Sequence, residues 1–167
     1  VGPGGKADDE DDFVRLMATL TRAATRAADH GVVLCCKAHV GASIYNTATT
    51  LRAMAEIDSP GFGIDMDPSH IYRAGEDPVA ALSQVISRVR HTHIRDCVNT
   101  SGPPGPAEEQ TCGRGNINLM GYLKVLTDAG YTGPVDLEII GGPADLAHCA
   151  IVAAESRGYL NACLKAL

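Results

Sequence analysis

Asp67, His93 and Glu138 lie far apart in the chain, yet each falls at or near the end of a short apolar run. The runs are "GFGIDMD" (61–67), "RHTHIRD" (90–96) and "PVDLEII" (134–140), and an earlier one, "VVLCCKAHV" (32–40), carries Lys37 and His39 near its end. Two carboxylates and one imidazole make a hard-to-borderline donor set suited to Mn²⁺, Mg²⁺, Co²⁺ or Zn²⁺. A lone strand-end Asp is ordinarily a turn or cap residue, and a lone His a satisfied structural one. The weight of this set comes from parity, because successive side chains of a strand point to opposite faces. Cys35, Lys37 and His39 share one face of the first run. Gly63, Asp65 and Asp67 share one face of the second, His91, His93 and Arg95 of the third, and Asp136 and Glu138 of the fourth. The opposite faces read Leu34, Cys36, Ala38; Phe62, Ile64, Met66; Thr92, Ile94; and Val135, Leu137, Ile139. Four runs thus carry an apolar face and an ionisable one, and buried charges persist when they are paired or hold a metal.

Helical patterns separate these runs. Phe13, Leu16, Met17, Leu20, Ala24 and Ala27 recur at helical spacing over 11–30, stopped by Gly31. A second helix is expected at 46–57, with Leu51, Met54 and Ala55 on one face. A third is expected at 77–89, opened by Asp77 and Pro78, a fourth at 118–130, capped by Asn118, and a last at 143–165. One helix followed by four strand–helix units predicts a parallel sheet with right-handed crossovers. A doubly wound sheet needs apolar residues on both faces. A barrel explains the split: helices cover the apolar outside, and the polar groups converge at the carboxyl-end mouth. The fold class is therefore α/β, parallel (β/α) units of a TIM barrel, forming one partial barrel domain over 1–167. The Gly-, Pro- and Ser-rich connection 97–117 is too long for a passive loop and is expected to border the active site.

Composition bounds the function. The 167 residues include six cysteines with no CxxC pair, and the net charge is −6. The thiols read as small apolar residues of a reduced, cytoplasmic protein. The acidic balance argues against nucleic acid, and no run is long and apolar enough to span a membrane. The run "DDEDD" at 8–12 reads as a solvated helix start.

Three stretches resemble the xylose isomerase-like TIM-barrel superfamily, whose members include sugar phosphate isomerases, ketose 3-epimerases and inosose dehydratase. "DMDPSHIYRAGEDPVAAL" resembles its sixth strand, loop and helix, and "HTHIRD" its seventh-strand pattern. "GRGNINLMGYLKVLTDAGYTGPVDLEIIGG" is similar to the segment leading into its eighth strand. The resemblance implies the C-terminal half of the barrel, strands five to eight, with "VGPGG" as the end of a lost strand. A complete barrel needs about 250 residues. Four strands leave two edges and apolar surface open, so the expectation is a homo-oligomer or a protein carrying the missing half.

The resemblance also implies one divalent metal held by residues at the positions of Lys37, Asp67, His93 and Glu138. Three of these match, and Lys37 stands where the family has a glutamate. Metal ligands are then Asp67, His93 and Glu138; His70, His39 and Arg95 are substrate contacts; Glu138 and Lys37 are the acid–base pair. The implied reaction isomerises or epimerises a keto- or aldo-sugar, or a small hydroxyketone, through a metal-stabilised enediolate. Lys37 also supports the opposite reading. Its ammonium mimics the ion's charge, which predicts a weakly occupied or empty metal site and a non-catalytic relative that binds carbohydrate or a partner.

Overall fold

The computed structural model of the protein describes residues 1–141 and 145–167. Its first helix, α1 (Glu10–Asp29), forms where the acidic run meets the apolar stripe. Asp9 caps it by accepting from the Asp12 N–H, and Glu10, Asp11 and Asp12 face the positive end of the helix dipole. Phe13, Met17, Leu20 and Ala24 bury one face. Then follow β1 (Leu34–Lys37), α2 (Thr47–Glu56), β2 (Phe62–Met66), α3 (Pro68–Arg73) and α4 (Pro78–Val85). A single 3₁₀ turn (Ile86–Arg88) leads into β3 (Val89–Ile94), α5 (Ala107–Gln110), α6 (Leu119–Asp128), β4 (Val135–Leu137) and α7 (Leu146–Ala166). The expected start of the last helix at 143 lies outside the described residues.

The four strands form one sheet in the order β1-β2-β3-β4, parallel throughout. Val1 continues the ladder beyond β1. Its amino group donates to the Cys35 carbonyl at 2.7 Å, and the Lys37 N–H donates to the Val1 carbonyl at 3.0 Å. Cys36, Ala38, Phe62, Ile64, Met66 and Ile94 are buried against the helical layer, as their parity requires. Gly61, just before β2, lies tight against α1: a Cβ there would lie 2.2 Å from the Ala24 carbonyl oxygen.

Three expectations need correction. Residues 86–88 tighten into the 3₁₀ turn instead of extending α4, and β3 begins at Val89. In α2 the buried stripe is Thr50 and Ala53, with Leu51 and Met54 beside it, whereas Ala55 faces solvent. The apolar face of β4 is not covered: Val135 is 40% and Leu137 36% exposed. They open into a groove of about 500 Å³ that also meets Leu126, Leu160 and Leu164. The cause is α7, which buries only Val152, Ser156 and Cys163 and is fastened to the 97–117 segment by Arg114–Glu155 and Cys112–Ser156 contacts. A stripe that narrow holds the helix against the loop and leaves the fourth strand uncovered.

Candidate functional site

The inward faces of the strands carry their charges on two levels. The upper level lies at the carboxyl ends. Asp67 follows β2 and caps α3, accepting from the Ser69 N–H at 2.9 Å and its hydroxyl at 2.7 Å. The Asp-Pro-Ser sequence explains this turn, since proline at the first helical position has no N–H to satisfy. Arg95, just past β3 and 1% exposed, reaches back to three groups of the same segment. Its Nε donates to the Ser69 hydroxyl at 2.6 Å, and its Nη2 lies 3.1 Å from both Asp67 Oδ2 and His70 Nε2. Lys37, ending β1, places Nζ 2.8 Å from Glu138 Oε2 and 3.4 Å from Asp67 Oδ2. Arg95 Nη2 is also 3.4 Å from Glu138 Oε2. Two carboxylates and two fixed cations therefore close one network across the mouth.

Burial alone would raise the Asp67 pKa. No single partner outweighs it, but the charges of Arg95, His70 and Lys37 and the Ser69 hydrogen bond together do, and they hold the carboxyl well below the usual range. His70 moves the other way for its class. Burial, with the charges of His39, Arg95 and Arg73, pushes it down to about 3 against the pull of Asp67. The ring is neutral, and its Nδ1 accepts the Val40 N–H at 3.2 Å. His39 stacks on it with ring centroids 4.1 Å apart.

The lower level lies two residues back along β2 and β3, about 6.6 Å deeper at the ordinary strand rise. Here Asp65 Oδ1 is 3.0 Å from His91 Nδ1 and 3.0 Å from His93 Nδ1. His91 Nε2 is 2.9 Å from Asp136 Oδ2. An irregularity positions this group. The register runs Ile64 to Val89 and then Asp65 to His91, so β3 bulges at Arg90 and sets Asp65 level with His91. Asp65, His91 and His93 each bring one donor atom within 4.8 Å of the others, a group that could hold a metal ion.

The structure thus brings together Lys37, Asp67, Arg95, Glu138 and His70, with His39 against His70. It turns His93 to Asp65. Asp67 and Glu138 point their facing oxygens at cations, and a divalent ion among them would meet both. Two unit charges about 4 Å apart repel by roughly 4 kcal/mol at an effective dielectric of 20. As arranged, the upper level does not fit a divalent metal. Ser69, Asp65, His91 and Asp136 are the functional side chains that site reasoning passed over. Strand parity placed the last three on the correct face, and the Asp-Pro-Ser turn was the signal for Ser69.

The 97–117 segment is held by two buried side chains. Asp96 accepts the backbone N–H groups of Cys97, Gly113 and Ile117 at 2.9, 2.9 and 3.1 Å. Gly115 passes so close that a Cβ would sit 2.2 Å from the same carboxylate. Gln110 donates to the Gly105 and Ile140 carbonyls and accepts from the Ile140 N–H, which ties the segment to the chain after β4.

A family profile described as a xylose isomerase-like TIM barrel matches residues 1–160. The chain is 27% identical over 165 residues to an inosose dehydratase of Geobacillus thermodenitrificans, covering 91% of this chain and 55% of that one. It is 31% identical over 85 residues to an inosose dehydratase of Mesomycoplasma hyopneumoniae, 51% of this chain and 28% of that one. The chain therefore spans about half, or less, of the length of these curated relatives. Among solved structures, a probable 3-DHS dehydratase from Bacillus anthracis superposes with a TM-score of 0.76 at 19% identity, covering 94% of this chain and 60% of that one. A D-tagatose 3-epimerase-like protein also gives 0.76, at 21% identity, with 99% and 62% covered.

Proposed function

Because the chain belongs to the xylose isomerase-like TIM-barrel family, we propose that it is the site-bearing part of a sugar-modifying enzyme that moves a proton beside a carbonyl, with fixed cations balancing the developing charge. The observation that carries this reading is the Lys37–Glu138 pair at 2.8 Å, set over the buried Asp67–Arg95 pair at the carboxyl-end mouth. The inosose dehydratase relatives and the epimerase-like neighbour support a polyhydroxylated ketone or aldehyde as substrate. The match of successive segments to the last strands of the family supports the C-terminal half of the barrel.

Glu138 is one-third exposed at the mouth and is the base. It takes the proton from the carbon next to the carbonyl, and the electron pair moves onto the carbonyl oxygen. Lys37 and Arg95 lie on that side to stabilise the resulting oxyanion. Arg95 Nη1 is buried with no hydrogen-bond partner among the described residues. His70 Nε2 faces another donor in Arg95 Nη2. Both groups are left for an incoming oxygen, which makes them, with the exposed His39, the substrate contacts. Return of the proton to the neighbouring carbon gives an isomer, and return from the opposite face an epimer.

A second reading has its own observation. The facing oxygens of Asp67 and Glu138 are already paired, which supports a relative that binds sugar without turning it over. Incubation with an inosose and with ketohexoses in D₂O containing a chelator separates the two. The enzyme reading expects deuterium at the carbon beside the carbonyl and a loss of about 10²–10⁴-fold in Glu138→Gln. Saturable sugar binding with no deuterium incorporated favours the second reading.

The uncovered β4 face supports pairing with a second copy or with the remainder of a barrel, so light scattering should give a mass above 17.4 kDa. Cys35, Cys36, Cys97, Cys112 and Cys163 are thiols outside any disulfide, which supports a reducing, cytoplasmic location. No helix among the described residues is long and apolar enough to cross a membrane.

A further inference from the structure

We infer that Asp65, His91 and His93 form a transition-metal site below the sugar-binding mouth, with Asp136 orienting His91 from behind. This goes beyond the proposed reaction and stands without it, because none of the four residues has a role in that proton transfer.

The geometry points to this in three ways. First, the donors converge on one point. A tetrahedral ion with bonds of about 2.0–2.1 Å keeps its ligand atoms about 3.3 Å apart. Asp65 Oδ1 already lies 3.0 Å from each of two imidazole Nδ1 atoms. The three donor atoms all lie within 4.8 Å of one another, so an ion would need the two Asp65 contacts to open by a few tenths of an ångström and the two imidazoles to settle around it.

Second, the metal-free hydrogen bonding of His91 is unusual. Both of its nitrogens face carboxylates, Nδ1 at 3.0 Å from Asp65 Oδ1 and Nε2 at 2.9 Å from Asp136 Oδ2. An ion held by Nδ1 would leave Nε2–H to donate to Asp136. His93 would likewise bind through Nδ1, as the tautomer with its proton on Nε2. The result is a metal–histidine–carboxylate relay, the arrangement that fixes the tautomer and orientation of a ligating imidazole.

Third, the charge environment differs from the level above. Asp65 and Asp136 have histidines as their ion-pair partners, and among the described residues neither is ion-paired to a lysine or arginine. Two imidazoles and one carboxylate are a borderline set, so the ion is Zn²⁺ or Co²⁺ in preference to Mg²⁺ or Ca²⁺, which favour all-oxygen sites. Three protein ligands leave a fourth position for water.

Calorimetric titration of the chelator-treated chain with Zn²⁺ and with Co²⁺ tests the inference, and the Co²⁺ complex also reports geometry through its visible absorption. The expected result is one saturable ion per chain and intense bands of four-coordinate Co²⁺. His91→Ala and His93→Ala should each weaken binding at least a hundredfold. Asp136→Asn should weaken it about tenfold, at the low end for an outer partner because that carboxylate is largely exposed. Asp67→Asn should leave it within twofold. Thermal melts of each metal-free variant show whether it folds. The unmodified chain gives an independent readout: ¹⁵N spectra of its six histidines should show two rings bound through Nδ1. Absence of saturable binding overturns the inference. So does binding that survives both histidine substitutions, binding that vanishes in Asp67→Asn, or Co²⁺ with only the weak bands of a six-coordinate ion.

Discussion

The two levels of charge inside this sheet use the same residue classes and balance them in opposite ways. Above, Asp67 and Glu138 are met by the ammonium of Lys37 and the guanidinium of Arg95. Below, Asp65 and Asp136 are met by His91 and His93, which hold protons that a metal can replace. A carboxylate on a barrel wall therefore does not by itself mean a metal ligand. What decides is whether its counter-charge is permanent or exchangeable. On the proposed reading, the cations make the upper level a preorganised site for a developing oxyanion. The lower level, with imidazoles as counter-groups, is the proposed ion site.

The comparison breaks most readily at Arg95. Arg95→Met leaves wholly buried Asp67 with Lys37 as its remaining cation, and frees Ser69 and His70 from their shared partner. We expect a loss of about 3–5 kcal/mol in urea unfolding. Next in size is the pH response of His70. Its ring is neutral when folded, with a pKa near 3 caused first by burial, whereas the unfolded chain takes up a proton below about 6.5. Stability should therefore fall as pH drops from about 6.5 toward 3, by on the order of 1–3 kcal/mol, and His70→Gln should flatten that fall. The lower level has the opposite sign. Burial opposes the shift, but the hydrogen bonds to Asp65 and Asp136 raise the His91 pKa. Its contribution is present below about pH 6.5 and is lost as pH rises through the folded value.

Changing one cation should convert the upper level into the lower kind. Lys37→Glu removes the fixed charge and adds a third carboxylate facing Asp67 and Glu138. Mn²⁺ should then bind at least tenfold more tightly than to the native chain, and Asp67→Ala on that background should reverse the gain. Calorimetry with His91→Ala included keeps the lower level out of the measurement. The smallest effect is expected from His91→Asn in the absence of metal. Its ring is partly exposed, and such pairs contribute about 1 kcal/mol or less to urea unfolding.

Much of this was legible in the chain. The alternation of "FGIDM" and "HTHI" assigned inward and outward faces correctly, and the caps at Asp77 and Asn118 set two helix starts to within a residue. The position of Lys37 foretold a cation among carboxylates. Two features were out of reach. The bulge at Arg90 leaves no mark in a pattern of alternation, yet it decides that Asp65 stands opposite His91. The destination of Arg95 was equally hidden. A strand-end arginine reads as a solvent-facing substrate contact until the Ser69 turn is built beside it. The exposed face of β4 was missed for a different reason: "PVDLEII" has the right apolar pattern, but coverage depends on where α7 is anchored, which is a tertiary matter.

Anomalous diffraction from crystals of the native chain soaked in Zn²⁺ and recorded at the zinc edge tests the two-level account most directly. The account predicts a peak bonded to Asp65, His91 and His93, and none between Asp67 and Glu138. A peak bonded to Asp67 and Glu138, with Lys37 swung away, would contradict it.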